Sequence, residues 1–252
     1  MRIAVVTLAL AVGAPAAFAA DGELSVGAGL NYSSGTYGTP DKTTILSLPF
    51  TARYDEERLK LKLTIPWLRV TGPGNVVPGV GRVRNSGSTS RTESGLGDST
   101  FAATYNSYYD AASMLGLDLT GKIKFPTGNA ERGLGTDSTD FSFQLDGYQT
   151  RGNLTLFADL GYTVFGHSDV IDLQNAFNYG VGASARLDRT DSLGVSLDGR
   201  QKVTPGGSPQ RELTLFWNRR VAKVSRLQAY LLFGLADGSP DWGVGVSAAR
   251  SF

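Results

Sequence analysis

The chain offers few side chains for catalysis, because it holds one histidine, His167, and no cysteine. His167 stands beside Ser168 and Asp169 in a stretch that we expect to be a loop. A serine hydrolase needs a base within hydrogen-bonding reach of its nucleophile, and His167 would have to serve. The pattern G-x-S-x-G is absent, since the nearest match, residues 182–186, ends in Arg186. One histidine without cysteine also excludes the usual zinc sites, so we predict no metal and no cofactor.

Most charged residues instead lie on the polar side of segments in which apolar and polar residues alternate. In a membrane barrel this side faces the lumen, because a Lys or Arg at the bilayer midplane costs about 2–4 kcal/mol. Such charges either line an aqueous pore and set its selectivity, or pair across the lumen and close it. The predicted lumen-lining residues are Arg53, Lys60, Lys62, Asp98, Asp118, Lys122, Lys124, Asp140, Asp146, Asp159, Arg186, Asp198, Arg200, Lys202, Glu212 and Arg220.

Two lysines share a phase on each of two segments that are separated by one neighbour: Lys60 with Lys62, and Lys122 with Lys124. We predict that they form a basic wall, whose field in a confined pore favours anionic solutes such as aromatic carboxylates. In the alternative, these lysines pair with nearby carboxylates and only hold the wall together: Asp118, Asp140 or Asp146. Four aromatic residues on the inward phase either form an apolar strip for a ligand or fill space: Tyr148, Phe157, Phe165 and Phe216.

The segments that carry these residues end in an alternating strand at the C-terminus. One face of this strand is apolar and the other is small or polar, with Trp242, Val244, Val246, Ala248 and Phe252 on the apolar face. A bare apolar strand at the end of a soluble protein would promote aggregation. In an outer-membrane barrel it faces lipid and pairs with the first strand. Phe252 also resembles the C-terminal signature that the barrel-assembly machinery recognises.

About twelve such segments follow one another, and long and short connections mostly alternate between them. An even-stranded antiparallel barrel has this pattern, with short periplasmic turns and longer external loops. We therefore predict an all-β fold, a single transmembrane antiparallel β-barrel over residues 20–252. Pro49 lies inside the second segment, where we expect a bulge or a bend. Arg219 lies on the apolar phase near a periplasmic end, where a long cation can reach the headgroups.

The first residues differ from the rest. A basic start, an apolar run and Ala17-Phe18-Ala19 predict a signal peptide over residues 1–19, cleaved after Ala19. No other apolar run is long enough for a transmembrane helix. Lys and Arg total 24 against 23 Asp and Glu, so losing Arg2 leaves a balance near zero and nothing favours nucleic acid.

Three motifs carry a family resemblance: Gly95-Leu96-Gly97-Asp98, Lys122-Ile123-Lys124-Phe125-Pro126-Thr127-Gly128 and Gly133-Leu134-Gly135-Thr136-Asp137. Together they resemble the outer-membrane family named for the MetA pathway of phenol degradation. The resemblance implies a transporter-like barrel for small, often aromatic, compounds, with no catalytic residues to carry over.

We therefore expect an outer-membrane channel for the passive passage of small molecules, not an enzyme. Its expected partners are a small-molecule solute, the assembly machinery, and membrane lipid with lipopolysaccharide. The phosphates of lipopolysaccharide would meet an external loop over residues 72–95, which carries Arg82, Arg84 and Arg91. One alternative is a sealed structural or adhesive barrel that acts through its loops, and another is an outer-membrane lipid hydrolase that depends on His167.

Overall fold

The structure, a computed structural model, describes residues 22–83 and 90–252. The expected signal peptide, residues 1–19, and Arg84 of the expected external loop lie outside these ranges. The described chain folds into strands, turns and loops. It contains no helix that is long and apolar enough to cross a bilayer.

The strands of the described residues follow one another as β1 (Glu23–Gly35), β2 (Thr43–Glu56), β3 (Leu59–Gly72), β4 (Val76–Val77), β5 (Gly81–Arg82), β6 (Arg91–Leu96), β7 (Ser99–Asp110), β8 (Leu115–Phe125), β9 (Asp140–Arg151), β10 (Leu154–Val164), β11 (Ala176–Arg186), β12 (Asp191–Arg200), β13 (Gln210–Ala222), β14 (Ser225–Gly234) and β15 (Trp242–Ser251).

All of these except β4 and β5 form one closed antiparallel sheet, since β1 pairs with both β15 and β2, and β2 pairs with β3. Strand β3 pairs with β6 along Trp67–Gly72 and with β7 along Leu59–Thr64. Strands β6 and β7 are therefore one barrel strand, interrupted at Gly97 and Asp98. The described residues thus form a barrel of twelve strands, which confirms the predicted fold. Closure gives each of these twelve barrel strands a hydrogen-bonded neighbour on both sides, as a bilayer requires, although the β6 part of its strand pairs with β3 alone.

The outer face of the barrel is apolar, with Phe143 65% exposed and Leu160 57% exposed. Aromatic residues cluster on this face towards both ends of the strands. Trp67 and the Tyr32–Trp242 pair lie near one end, and Trp217 lies near the other. This arrangement of an apolar band between two aromatic belts is typical of membrane barrels, because aromatic rings prefer the headgroup region.

The connections sort by length as predicted. Short turns join alternate hairpins at one end, hereafter the turn end, and residues 36–42, 73–90, 126–139, 165–175, 201–209 and 235–241 join strands at the other, the loop end. The phase of β14 is also resolved, because Leu227, Leu231 and Phe233 are exposed on the outer face.

Two local expectations can be compared with the structure. The register of β2 against β3 continues through Pro49, which lies opposite Pro66, so of the expected bulge or bend the bulge is absent from this pairing. Only the ladder to β1 is interrupted beside Pro49, because proline has no N–H to donate. The Arg219 side chain lies 3.9 Å from Asp191, its register partner on β12, so an ion pair accompanies its position near the headgroups.

The apolar core of the protein lies at the loop end of the barrel. Val76 packs against Tyr37, Ile45, Leu68, Val70 and Leu134, and Val77 and Val80 pack against Ile171, Ala176 and Val203. These three valines belong to residues 73–83, which we call the plug segment. It contacts β3 on one side and the ends of β11 and β12 on the other, so it crosses the mouth of the barrel.

Candidate functional site

A basic row crosses one wall of the lumen. Arg53 lies directly opposite Lys62, Lys62 opposite Ala102, and Ala102 opposite Lys122, in one continuous register across β2, β3, β7 and β8. Lys62 and Lys122 are both exposed to the lumen. Neither has a carboxylate within ion-pair distance among the described residues. Their charges therefore act on whatever occupies the lumen.

The other two lysines of the expected wall are neutralised. Lys60 lies 3.4 Å from Asp118. Lys124 lies 3.0 Å from Asp98 and 2.7 Å from Asp140 and also donates to the Thr136 hydroxyl. The pairing alternative is therefore correct for Lys60 and Lys124, which bind carboxylates. The basic-wall prediction describes Lys62 and Lys122, which have no ion-pair partner among the described residues.

Carboxylates form a second row that the sequence pattern does not reveal. The register runs from Asp118 on β8 through β13, and five of its six inward positions are acidic: Asp118, Asp146, Asp159, Asp198 and Glu212. The sixth position is Gly180, where a Cβ would overlap Asp159 Oδ2 and lie 2.9 Å from Asp198 Oδ1. Apart from Asp118, these carboxylates have no cation within ion-pair distance among the described residues.

Aromatic rings lie flat against the lumen wall below the acidic row. Phe157 covers Gly182 and Phe216 covers Gly194, with the two ring centroids 6.3 Å apart. Tyr148 covers Gly116 in the same way, and Tyr230 covers Gly245. Glycine accepts a ring from the facing strand because it has no Cβ, so these rings lie close to the wall of the lumen.

Phe165 does not belong to this strip. It lies in the loop after β10 and packs against the apolar cluster around Val77 and Val80.

Three further predicted lumen cations occupy different surroundings. Arg186 ends β11 beside a cavity of about 590 Å³ at the turn end. Arg200 ends β12, where its guanidinium donates to the Gly79 carbonyl at 2.7 Å and to the Val80 carbonyl at 3.0 Å. Lys202 lies beyond the end of β12, with its amine 3.5 Å from the Pro205 carbonyl, so its placement on a lumen strand is wrong.

The plug segment is held by side chains from several loops. Arg82 donates to the Gly38 carbonyl at 3.0 Å and to the Gly206 carbonyl at 2.7 Å, and Thr204 Oγ1 donates to the Arg82 carbonyl at 3.0 Å. The expectation that Arg82 projects outward is therefore wrong, because both of its terminal nitrogens are engaged within the mouth. Burial raises the pKa of Tyr37 to about 12, despite its hydrogen bond with Ser33, so this phenol stays neutral beside the plug.

The sequence of β3 contains one local sign of the plug segment, which strict alternation of apolar and polar residues does not reveal. After Trp67, the apolar residues of β3 change phase, so that Leu68 and Val70 point inward and Arg69 points outward. An inward apolar pair needs an apolar partner, and Val76 supplies it.

The family motifs form one structural cluster around Asp98, which we call the Asp98 clasp. The Asp98 carboxylate accepts from the Gly128 N–H at 3.0 Å, the Thr136 N–H at 3.1 Å and the Lys124 amine. Thr127 Oγ1 donates to the Gly97 carbonyl at 2.7 Å. A Cβ at Gly135 would overlap the Asp98 carboxylate, which explains the glycine there. The clasp thus fixes residues 126–139 to the break between β6 and β7.

His167 does not assemble a hydrolase site in the described residues. Its Nε2 lies 3.0 Å from Asp169 Oδ1, and the ring is almost fully exposed. The Ser168 hydroxyl instead accepts from the backbone N–H groups of Val170 and Ile171, as in an ordinary turn.

A family described as "Putative MetA-pathway of phenol degradation" matches residues 11–212. The chain belongs to this family. The matched range of the chain includes the basic row, the plug segment and the Asp98 clasp, and it ends at Glu212. A search of curated proteins finds no match.

Solved structures show the same fold for this family member. It is similar to an outer membrane channel from Pseudomonas putida F1, with 16% identity, a TM-score of 0.73, and 92% of this chain and 95% of that chain covered. It is also similar to the KdgM porin (10% identity, TM-score 0.57, coverage 90% and 99%) and to the NanC porin (8% identity, TM-score 0.55, coverage 91% and 100%). The protein is an outer-membrane β-barrel.

Proposed function

We propose that the protein is a passive outer-membrane channel for small molecules and that its lumen favours anionic, often aromatic, solutes. The observation that carries this proposal is the unpaired basic row. Two of its three cations, Lys62 and Lys122, face the lumen without a carboxylate partner among the described residues. A barrel that served only as a sealed support would gain by pairing them, because unpaired charges in a confined, low-dielectric space are costly.

The rest of the lumen supports the aromatic part of the proposal. The strip of Tyr148, Phe157, Phe216 and Tyr230 offers ring faces to a passing solute, while the glycines beneath these rings let them lie close to the wall. Both rows then act on the same solute, because a carboxylate is drawn towards the basic wall and repelled by the acidic row. An aromatic acid would be oriented by this field with its ring against the strip.

The test is ion selectivity. Replacing Lys62→Glu and Lys122→Glu together should shift the reversal potential in a salt gradient towards cations, because two positive charges that face the lumen become negative. Lys62→Glu also places a carboxylate opposite Arg53, so the variant should fold. The control is Lys223→Glu, which makes the charge change of one of these two replacements at an exposed turn residue outside the lumen.

Unchanged selectivity in a folded, conducting double variant would contradict the role of the basic row. Absence of conductance in the wild-type protein would favour the second candidate, a sealed barrel, which the plug segment across the mouth supports. His167→Ala should leave both outcomes unchanged, since among the described residues its imidazole hydrogen-bonds to Asp169 alone.

A further inference from the structure

The cavity at the turn end has a charge composition unlike the rest of the lumen. Its volume is about 590 Å³, and strands β1–β3 and β11–β15 contribute to its lining. Basic residues dominate that lining: Arg53, Lys62, Arg186, Arg189, Arg219, Arg220 and Arg226. Short turns face the periplasm in outer-membrane barrels, so this cavity is the periplasmic end of the passage.

Two like-charged pairs face this cavity across neighbouring strands. Arg220 lies directly opposite Arg226 in the register of β13 and β14. Arg53 lies directly opposite Lys62 in the register of β2 and β3. Like charges at directly opposed positions destabilise a sheet. The barrel therefore carries a repulsion at two places on one cavity wall, which a bound anion would relieve.

The acidic residues near the cavity are committed elsewhere. Backbone N–H groups of Thr190 and Asp191 bind the Asp188 carboxylate and lower its pKa. Asp191 accepts from the Trp217 indole at 2.9 Å and lies beside Arg219. Asp55 pairs with Arg53 at 2.7 Å, which leaves Lys62 without a partner. Among the described residues, Arg220 and Arg226 have no carboxylate within ion-pair distance.

The wall between the two pairs is built from small and hydroxyl-bearing side chains. Strands β15 and β1 contribute Ser247, Ala249, Ser251 and Ser25 there. Strands lie about 4.8 Å apart, so the two pairs are separated by about 14 Å along the wall, or three strand spacings. Small residues leave room above this floor for a flat molecule, and the serine hydroxyls can donate to it.

We infer that this cavity is a binding station for a solute that carries two separated carboxylates, held between the Arg220–Arg226 pair and the Arg53–Lys62 pair. Guanidinium groups bind carboxylates in a fixed fork, which favours such a dianion over a monoanion of similar size. The inference rests on the proposed channel function and gives it a substrate class. A dianion drawn through the lumen is retained at the station until the periplasm receives it.

The test measures binding separately from conduction. Terephthalate and benzoate, an aromatic dianion and its monoanionic counterpart, are titrated calorimetrically into the detergent-solubilised protein at low salt. Wild-type protein should bind terephthalate more tightly than benzoate, and Arg226→Gln should weaken terephthalate binding by about tenfold while affecting benzoate less. Added salt should reduce the preference, because it screens the cations.

A second variant guards against loss of folding. Arg226→Glu places an opposite charge across from Arg220, so the barrel should fold at least as stably, as heat-modifiability on gels would show. This variant should lose the preference for terephthalate. The matched control is Lys223→Gln, which removes one cation at an exposed turn residue outside the lining of the cavity, and it should bind terephthalate as the wild type does.

The outcomes separate the two proposals. A conducting wild-type channel that binds both probes equally, or variants that keep the preference, would overturn the station and leave the channel intact. A wild-type protein that prefers terephthalate but does not conduct would support the station and refute passive passage.

Discussion

Release of the plug segment should open the channel, and Arg200 is the residue through which this can be tested. Its guanidinium donates two hydrogen bonds to the plug, to the Gly79 and Val80 carbonyls at 2.7 Å and 3.0 Å. Arg200→Ala removes both and leaves the two carbonyls to water. The three buried valines of the plug are unaffected.

The size of the effect follows from these two bonds. A hydrogen bond to a charged group contributes about 1.5–3 kcal/mol, and the lower value applies because lumen water can replace the guanidinium. Two bonds give about 3 kcal/mol, and about 1.4 kcal/mol corresponds to a tenfold change in an equilibrium constant. Arg200→Ala should therefore raise the ratio of open to closed plug about a hundredfold.

Single-channel recording in planar bilayers measures this ratio as the time spent in the larger conductance. Arg200→Lys keeps the positive charge but cannot make both bonds in the same fork, so it should give an intermediate opening. Arg211→Ala, at the loop end on the outer face, removes an arginine without touching the plug and serves as the control.

If Arg200→Ala and Arg200→Lys both conduct like the wild type, the plug does not limit passage. If Arg200→Ala changes only ion selectivity and Arg200→Lys changes nothing, the charge of Arg200 matters and its bonds to the plug do not.

Two further predictions concern assembly and the clasp. The backbone N–H of Phe252 donates to the Leu24 carbonyl at 2.8 Å, beside the closing strand. Deleting Phe252 should reduce the amount of folded, heat-modifiable protein in outer-membrane fractions far more than Phe233→Ala, a control that is also exposed on the lipid face. Equal losses in the two variants would contradict a role of Phe252 in assembly. Asp98→Ala should cost about 2–6 kcal/mol, or about 1–3 kcal/mol for each of the Gly128 and Thr136 N–H groups that lose their acceptor, while Lys124 keeps Asp140 at 2.7 Å. The variant should expose residues 126–139 to proteases, whereas Glu131→Ala should not. A protected loop in Asp98→Ala would contradict the clasp.

The strands and their faces could be predicted from the sequence, because alternation with period two directly encodes which side chains meet lipid. Lys60 and Lys62 illustrate this, since both face inward as their phase requires. The family was also predicted correctly from three motifs, since the family match over residues 11–212 confirms it. The signal peptide and the role of Phe252 stay predictions.

The acidic row could not be predicted, because it depends on register. Asp146 and Asp159 face each other since the turn at Gly152 and Asn153 sets their hairpin. Asp159 and Asp198 align only through two further connections, the loop over residues 165–175 and the turn over residues 187–190. A shift of two residues in one hairpin would separate them while leaving every side chain on the same face. Alternation is insensitive to such shifts.

The plug and the clasp were missed for a different reason. They involve loop residues whose conformation depends on distant contacts, such as Arg82 with Gly206 or Asp98 with Thr136. Neither contact produces a recognisable pattern in the sequence near the residues that make it. The change of apolar phase at Leu68 was the one local sign, and it indicated a partner without identifying Val76.

The position of the Asp98 clasp affects how relatives of this protein should be compared. The residues by which the family is recognised hold a loop to a break in one strand, and the side chains proposed to meet a solute lie on other positions of the strands. Conservation of the motif would therefore preserve the contact between this loop and the strand, and it would place no constraint on the residues proposed to meet a solute. Two members with the same GLGD and PTG motifs can differ at the positions of Lys62, Lys122 and Arg226. Solute preferences of relatives should therefore be compared at these positions.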